Sequence, residues 1–326
     1  MFFKRILAAL LFAAVLPTAQ AAQPVYTFQV HSPGIQAAAA PASSAYPFSS
    51  FTFTPCGATG VSGPTQANCR TSYSGATWAQ SDSDFTVAAG IQSWVVPATG
   101  SYLITAAGAS GGNAVANLGV GAVMSVQVSL TQGAVLQLLV GQPGSANVST
   151  GGGGGSFVVG PGNIALVVAG GGGGFANVTT GRAASANAST SLNGVTSSDG
   201  QGAGGTNGGG GKGASAAWGG GGGGFSGTGT DAYYAASYNF AGHGSSFQTG
   251  GQGGNSATIA VGGFGGGAGT HGNSGGGGGG GGYSGGGGSG QATGASAGGG
   301  GSYYNGTLVS ATVSNLGAGY ITITKQ

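Results

Sequence analysis

Between positions 51 and 168 the apolar residues recur with the period of β-strands, and no stretch carries a convincing helical period. Phe51-Thr52-Phe53-Thr54 alternates apolar and polar side chains, as a half-buried strand does. Residues 91–96 and 102–106 are two β-rich runs, and Pro97-Ala98-Thr99-Gly100 supplies the turn between them. Residues 123–130 alternate again, with Val126, Val128 and Leu130 on one face. The run 135–140 is apolar almost throughout and predicts a strand covered on both faces. Residues 157–159 and 164–168 continue the series across Gly160-Pro161-Gly162. Beyond a long interruption, 308–313 and 320–324 return to strand patterning around Gly317-Ala318-Gly319. Many short strands with Gly/Pro turns predict an all-β sandwich and not an α/β sheet.

The interruption is a glycine block. Of 326 residues 80 are glycine, most of them in residues 170–301, with runs such as 219–224 and 275–282. One reading is a loose linker, because glycine loses the most backbone entropy on ordering. The other is a bundle of extended polyglycine (type II) helices with three residues per turn. Such helices have no internal hydrogen bonds and must bond to neighbouring tracts, and only glycine allows that close approach on several sides. Repetition of the runs and their punctuation by Phe175, Trp218, Phe225, Phe264 and Tyr283 favour the bundle, since these rings can pin a tract against the β part. The domain plan is then a signal peptide at 1–21, a short strand (25–30) and a Pro/Ala/Ser linker within 22–50, and a glycine-rich domain over 51–326. In that domain 51–169 and 307–326 form the sandwich, and 170–306 is an insertion fixed at both ends by the sheet.

Lys4 and Arg5, the apolar run 6–16 and Ala19-Gln20-Ala21 read as an export signal cleaved near Ala21. The run is shorter than the roughly 20 residues a membrane helix needs. The expected product is secreted, periplasmic or held at the cell surface. Removing residues 1–21 leaves 6 − 2 = 4 basic residues against 4 acidic ones, so the formal charge of +2 belongs to the signal. Arg70, Arg182, Lys212 and Lys325 are scattered, which excludes a phosphate-neutralising surface for nucleic acid. In an oxidising compartment Cys56 and Cys69 are expected to form a disulfide.

Catalysis has little to work with. The chain has no Glu, its acids are Asp82, Asp84, Asp199 and Asp231, and Asp82 and Asp84 sit in a Ser/Asp stretch that reads as a solvated loop. His31, His243 and His271 lie far apart with no acidic residue beside them, so no metal or acid–base site is expected, and no cofactor. The most suggestive surface is the segment 231–243, with Tyr233, Tyr234, Tyr238, Phe240 and His243. Tyrosine gives broad contact area with a hydrogen-bonding tip, a composition common at interfaces. Its alternative role is a cap of rings over the glycine block.

The segment Phe51-Thr52-Phe53-Thr54-Pro55-Cys56-Gly57-Ala58-Thr59-Gly60, with Gly63-Pro64-Thr65-Gln66-Ala67-Asn68-Cys69 after it, resembles the opening of the extracellular glycine-rich domain of the anaplastic lymphoma kinase and leukocyte tyrosine kinase receptors. Gly90-Ile91-Gln92-Ser93-Trp94-Val95-Val96-Pro97-Ala98-Thr99 fits the same pattern, as do Leu139-Val140-Gly141-Gln142 and the run 279–286 with Tyr283. The resemblance implies a tumour-necrosis-factor-like β sandwich carrying polyglycine helices, and a module that binds a protein outside the cell. It does not extend to kinase activity: no phosphate-binding loop with its downstream Lys and catalytic Asp set is present. The receptors recognise a basic ligand largely through acidic residues, and four Asp with no Glu do not reproduce that surface. The expected function is therefore recognition or adhesion toward a protein or glycan. The alternative is a matrix or coat component that self-associates through polyglycine surfaces.

Overall fold

The computed structural model describes residues 45–112, 119–176, 184–215, 218–233, 240–256, 260–271 and 275–326. The signal segment, the strand expected at 25–30, and Tyr234 and Tyr238 lie outside these residues. In chain order the elements are β1 (Ser50–Phe53), α1 (Gln66–Ser72), β2 (Phe85–Ala88), β3 (Ile91–Val95), β4 (Gly100–Ala107), β5 (Gly121–Leu130), β6 (Val135–Leu139), β7 (Ser156–Gly160), β8 (Ile164–Ala169), β9 (Ala232–Tyr233), β10 (Phe240–Ala241), β11 (Tyr303–Tyr304), β12 (Thr307–Asn315) and β13 (Tyr320–Lys325).

The strands form two antiparallel sheets and a small ribbon. The five-stranded sheet runs β1-β13-β4-β5-β12, the six-stranded sheet runs β11-β8-β7-β6-β3-β2, and β9 pairs with β10. Alternation explains the facing residues. Tyr102 and Ile104 of β4, Met124 and Val126 of β5 and Ile321 and Ile323 of β13 point inward and meet Trp94, Leu136, Leu138, Val158 and Val167 in one buried cluster. Strands from both sides of the glycine block thus pair in one sheet, with Ile323 opposite Ile104 and Phe51. The structure is consistent with a β sandwich.

The six-stranded sheet is covered on its other face as well. Leu139, Phe157, Val159, Ala165 and Val168 point away from the sandwich core and pack with Phe247 and Phe264 from the glycine segment. That explains why β7 and β8 are apolar on consecutive positions: each face has its own cover. Val135 and Gln137 of β6 remain exposed, so the double covering begins at Leu138 and not at the strand's start.

One short helix was not legible from periodicity, because seven residues make only two turns. Thr65 caps it: Asn68 N–H donates to Thr65 Oγ1 at 3.2 Å, and Thr65 N–H donates to Asn68 Oδ1 at 3.0 Å. α1 carries Cys69, which is bonded to Cys56 with Cα atoms 4.9 Å apart. The expected disulfide is formed. Tyr46 and Phe48, upstream of the expected domain start, pack on the same core, with Tyr46 stacked on Trp78 at 5.7 Å.

In the glycine segment the backbone hydrogen bonds repeat every third residue. Along 278–283, Gly278 and Gly281 N–H donate to Thr150 and Gly153, Gly279 and Gly282 to Gly220 and Gly223, and Gly280 and Tyr283 to Gly298 and Gly301, at 2.8–3.2 Å. The carbonyls turn to three other tracts: Gly278 and Gly281 accept from Gly174 and Gly171, Gly279 from Ala268, and Gly277 and Gly280 from Ser289 and Gly286. Each donor set and two of the three acceptor sets recur at i+3, so this central tract is ringed by six neighbours. A Cβ at Gly278, Gly280 or Gly281 would overlap the carbonyl of Ala268, Gly171 or Gly265. The spacing between tracts therefore requires glycine at those positions.

Candidate binding surface

The hairpin formed by β9 and β10 leaves the glycine segment and returns to it. Ala232 and Ala241 are buried at its root, and Phe240 is the register partner of Tyr233. Gly242 N–H donates to Asn255 O at 2.9 Å, which ties the returning strand to the next tract. The structure thus brings together three of the expected residues, Tyr233, Phe240 and His243, at the base of one hairpin. Tyr234 and Tyr238, between the two strands in sequence, lie outside the described residues.

His243 has an acidic partner after all. Its Nδ1 lies 2.7 Å from Asp231 Oδ1, and its backbone N–H donates to the same oxygen at 2.9 Å. Sequence adjacency could not reveal this pair, because the hairpin closes a twelve-residue separation. The two side chains are 37% and 45% exposed, so the contact is a clasp across the hairpin base, with modest electrostatic weight in water. His271 stands elsewhere, its ring 5.9 Å from that of Trp218 and both ring nitrogens without a hydrogen-bond partner.

The other acids are likewise used structurally. Asp82 pairs with Arg70 at 2.5 Å. Asp84 is not in a solvated loop as expected: it is 3% exposed, because the turn ahead of β2 folds it inward. Asp199 accepts from Ser197 Oγ, Gln201 N–H and Gly290 N–H, fixing a turn against the 290 region. Asp82 and Asp84 share the turn ahead of β2, the first exposed on Arg70 and the second buried, while Asp199 and Asp231 stand on separate stretches of the glycine segment. Among the described residues no group of three His, Cys, Asp or Glu side chains could hold a metal ion. No helix of the described residues is long and apolar enough to cross a membrane.

A second aromatic feature was only partly visible in the sequence. Phe157 of β7 stacks on Phe247 at 5.2 Å, Phe247 on Phe225 at 5.5 Å, Phe225 on Tyr283 at 6.0 Å, and Tyr283 on Tyr303 of β11 at 4.4 Å. The stack begins and ends on the six-stranded sheet and passes through three glycine tracts. Phe225, Phe264 and Tyr283 pin the block to the sheet as their placement suggested. Phe175 is buried within the block, and Trp218 packs on His271. Phe247 had given no signal, because nothing in its local sequence marks it as a bridge.

Three tyrosines of the sandwich are held in the neutral form. Burial, reinforced by the charge of Asp84, pushes the Tyr46 phenol far up, while burial raises Tyr73 and Tyr102. Tyr73 Oη accepts from Thr54 N–H at 2.7 Å and lies 3.0 Å from Gln92 Oε1, so it serves as a buried hub between β1 and β3. These groups hold the core together and present no reactive surface.

No family model matches the chain. Among known proteins it is similar to the leukocyte tyrosine kinase receptor of Mus musculus, with 40% identity over 95 residues. That stretch is 28% of this chain and only 11% of the receptor, so the match shows a partial relationship to the receptor family and no catalytic domain.

Proposed function

We propose that the chain is an exported, non-catalytic binding module whose matched stretch corresponds to part of the receptor's extracellular region. In this reading the fold is a tumour-necrosis-factor-like sandwich, and the glycine segment is a bundle of polyglycine type II helices that serves as a rigid platform. The three-residue repeat of hydrogen bonds around 278–283 supports the bundle, since a threefold extended helix points successive N–H groups at successive neighbours. The disulfide and the leader-like first 21 residues support export to an oxidising compartment. The partner is a protein or glycan.

The observation that carries the functional reading is the hairpin rooted in the glycine platform. Buried Ala232 and Ala241 and the His243–Asp231 clasp hold its base, and the segment it carries is rich in tyrosine. A rigid base reduces the ordering cost of binding, and tyrosine supplies contact area at low entropy cost. The test is binding of the secreted protein to an extract of the producing cell's surface proteins and glycans, compared with a variant carrying Tyr233→Ser, Tyr234→Ser and Tyr238→Ser. Saturable binding by the first and at least tenfold weaker binding by the second is expected. Equal binding by both, with unchanged circular dichroism, would remove the hairpin from the proposal.

A further inference from the structure

The two sheets have four edges, and three of them are short or closed. β2 has four residues, and the side chain of Gln66 occupies its outer side: Val87 N–H donates to Gln66 Oε1, and Gln66 Nε2 donates to Phe85 O at 3.5 Å. β1 has four residues and ends where Thr54 N–H donates to Tyr73 Oη. β11 has two. The fourth edge, β12, is nine residues long, and among the described residues it is paired on one side only, with β5. An open strand of that length is a template for pairing with another chain unless charge, proline or a covering element blocks it. From Thr307 to Ala318 the sequence holds no charged residue and no proline. Among the described residues the guards are register shifts at Leu308/Ser310 and Val313/Asn315, which leave Ser310 to Val313 as a regular run between them.

β12 also has two distinct rows. Ala311 lies opposite Met124 and Val313 opposite Ala122, on the core side, whereas Ser310 and Thr312 lie opposite Ser125 and Val123 on the outer side. The apolar side chains at this edge are poorly covered: Leu308 is 39% exposed, Val309 58%, Val313 38% and Leu316 59%. On the outer side, Ser310 ends a row of hydroxyls that runs through Ser125, Thr105, Thr322 and Thr52, one on each strand of the sheet.

We propose that β12 is the contact of a twofold dimer, pairing antiparallel with β12 of a second copy about an axis at Ala311. The pattern is self-complementary in that register. Within the regular run Ser310 meets Thr312 of the second copy on the outer side and Ala311 meets Ala311 on the core side. Hydroxyl thus faces hydroxyl and apolar side chain faces apolar side chain, with the exposed Val309 and Val313 flanking the axis. No charge is desolvated, and the two five-stranded sheets become one sheet of ten. A twofold contact closes on itself, so assembly stops at two copies. This surface lies outside the hairpin assigned to recognition, and the two readings stand or fall separately.

The register gives the test. In the full secreted chain, Ser310→Lys with Thr312→Lys places lysine opposite lysine twice across the axis. Ser310→Glu with Thr312→Lys places glutamate opposite lysine twice. Both positions are exposed, so circular dichroism should be unchanged in each variant. Sedimentation of the wild type should give a reversible dimer. The double-lysine variant should dissociate about tenfold or more readily, and the glutamate–lysine variant should remain within a few-fold of the wild type, as cross-strand charge pairs dictate. A wild-type monomer at all concentrations, or equal loss in both variants, overturns the proposal. So does protection of β12 amides that is independent of concentration, which would place a segment of the same chain on this edge.

Discussion

The demand for glycine in the central tract can be measured by one added methyl group. In Gly280→Ala the new Cβ would overlap the Gly171 carbonyl and crowd that of Gly172, both backbone atoms that cannot swing aside. The tracts must separate locally. Two hydrogen bonds lie in the path of that movement, Gly280 N–H to Gly298 O at 3.0 Å and Gly171 N–H to Gly281 O at 2.7 Å. Overpacking costs about 1–3 kcal/mol, and weakening two buried backbone hydrogen bonds adds about 1 kcal/mol each. A destabilisation of about 3–5 kcal/mol is expected. The matched control is Gly75→Ala, where a Cβ meets nothing within 4 Å and φ is not left-handed. There the change should be neutral, or stabilising by about 0.4–1 kcal/mol through the unfolded chain. Denaturant titration of both variants, with amide exchange across 275–302, reads the difference. If Gly280→Ala costs no more than Gly75→Ala, the tracts are not packed as described and the hydrogen-bond repeat does not persist in solution.

Three further outcomes follow from the same structure. Replacing Cys56 and Cys69 together by Ser frees a loop with a sequence separation of 13 and should cost about 3 kcal/mol on the chain-entropy account, seen as a lower denaturant midpoint. Phe225→Ala removes the middle of the five-ring stack and should cost about 3 kcal/mol, at the low end for aromatic truncation because the ring is only partly buried, with faster amide exchange in 219–230 than in β4 or β5. The third concerns alkali. Tyr46, Tyr73 and Tyr102 keep their protons in the folded state above the ordinary phenol value near 10, whereas the unfolded chain releases them there. Their contribution is complete below about pH 10 and is lost as pH rises further, so the denaturant midpoint should hold up to about pH 10 and fall above it. Tyr73→Phe should flatten that slope. With no free cysteine in the chain, internal thiol exchange cannot mimic the effect.

What could be read from the sequence divides along a physical line. The strands later found as β1, β3 to β8, β12 and β13 were all legible, because period-two alternation and turn residues are local signals. β2 was not, since Phe85-Thr86-Val87-Ala88 is short and follows a polar stretch. α1 escaped for the opposite reason, as its capping residues Thr65 and Asn68 mark a start with too little helix behind it to show a period. The pairing of His243 with Asp231, the burial of Asp84 and the bridging role of Phe247 depend on where distant tracts come to lie. No window of sequence around those residues contains that information. The glycine block could be suspected of order from its repetition and its aromatic punctuation, but which tract bonds to which is set only by the three-dimensional ring of neighbours around 278–283.

The near absence of charge and the excess of glycine are two sides of one arrangement. Where side chains are single hydrogen atoms, little is left to separate tracts or to hydrogen-bond across them, and the backbone N–H and C=O groups must satisfy one another. Burying those groups unpaired would cost about 1–3 kcal/mol each, so tract spacing and register cannot relax independently. A charged side chain inside such a block would have neither space nor a partner. The four acids accordingly lie at turns and edges: Asp82 on Arg70, Asp84 at the turn into β2, Asp199 fixing a turn and Asp231 clasping a hairpin. Surface variation is then confined to what the tracts carry at their ends, and in the sequence aromatic residues accumulate after Asp231 and again at Tyr303-Tyr304. A block that tolerates so few substitutions inside can vary at such ends with the packing of its tracts unchanged.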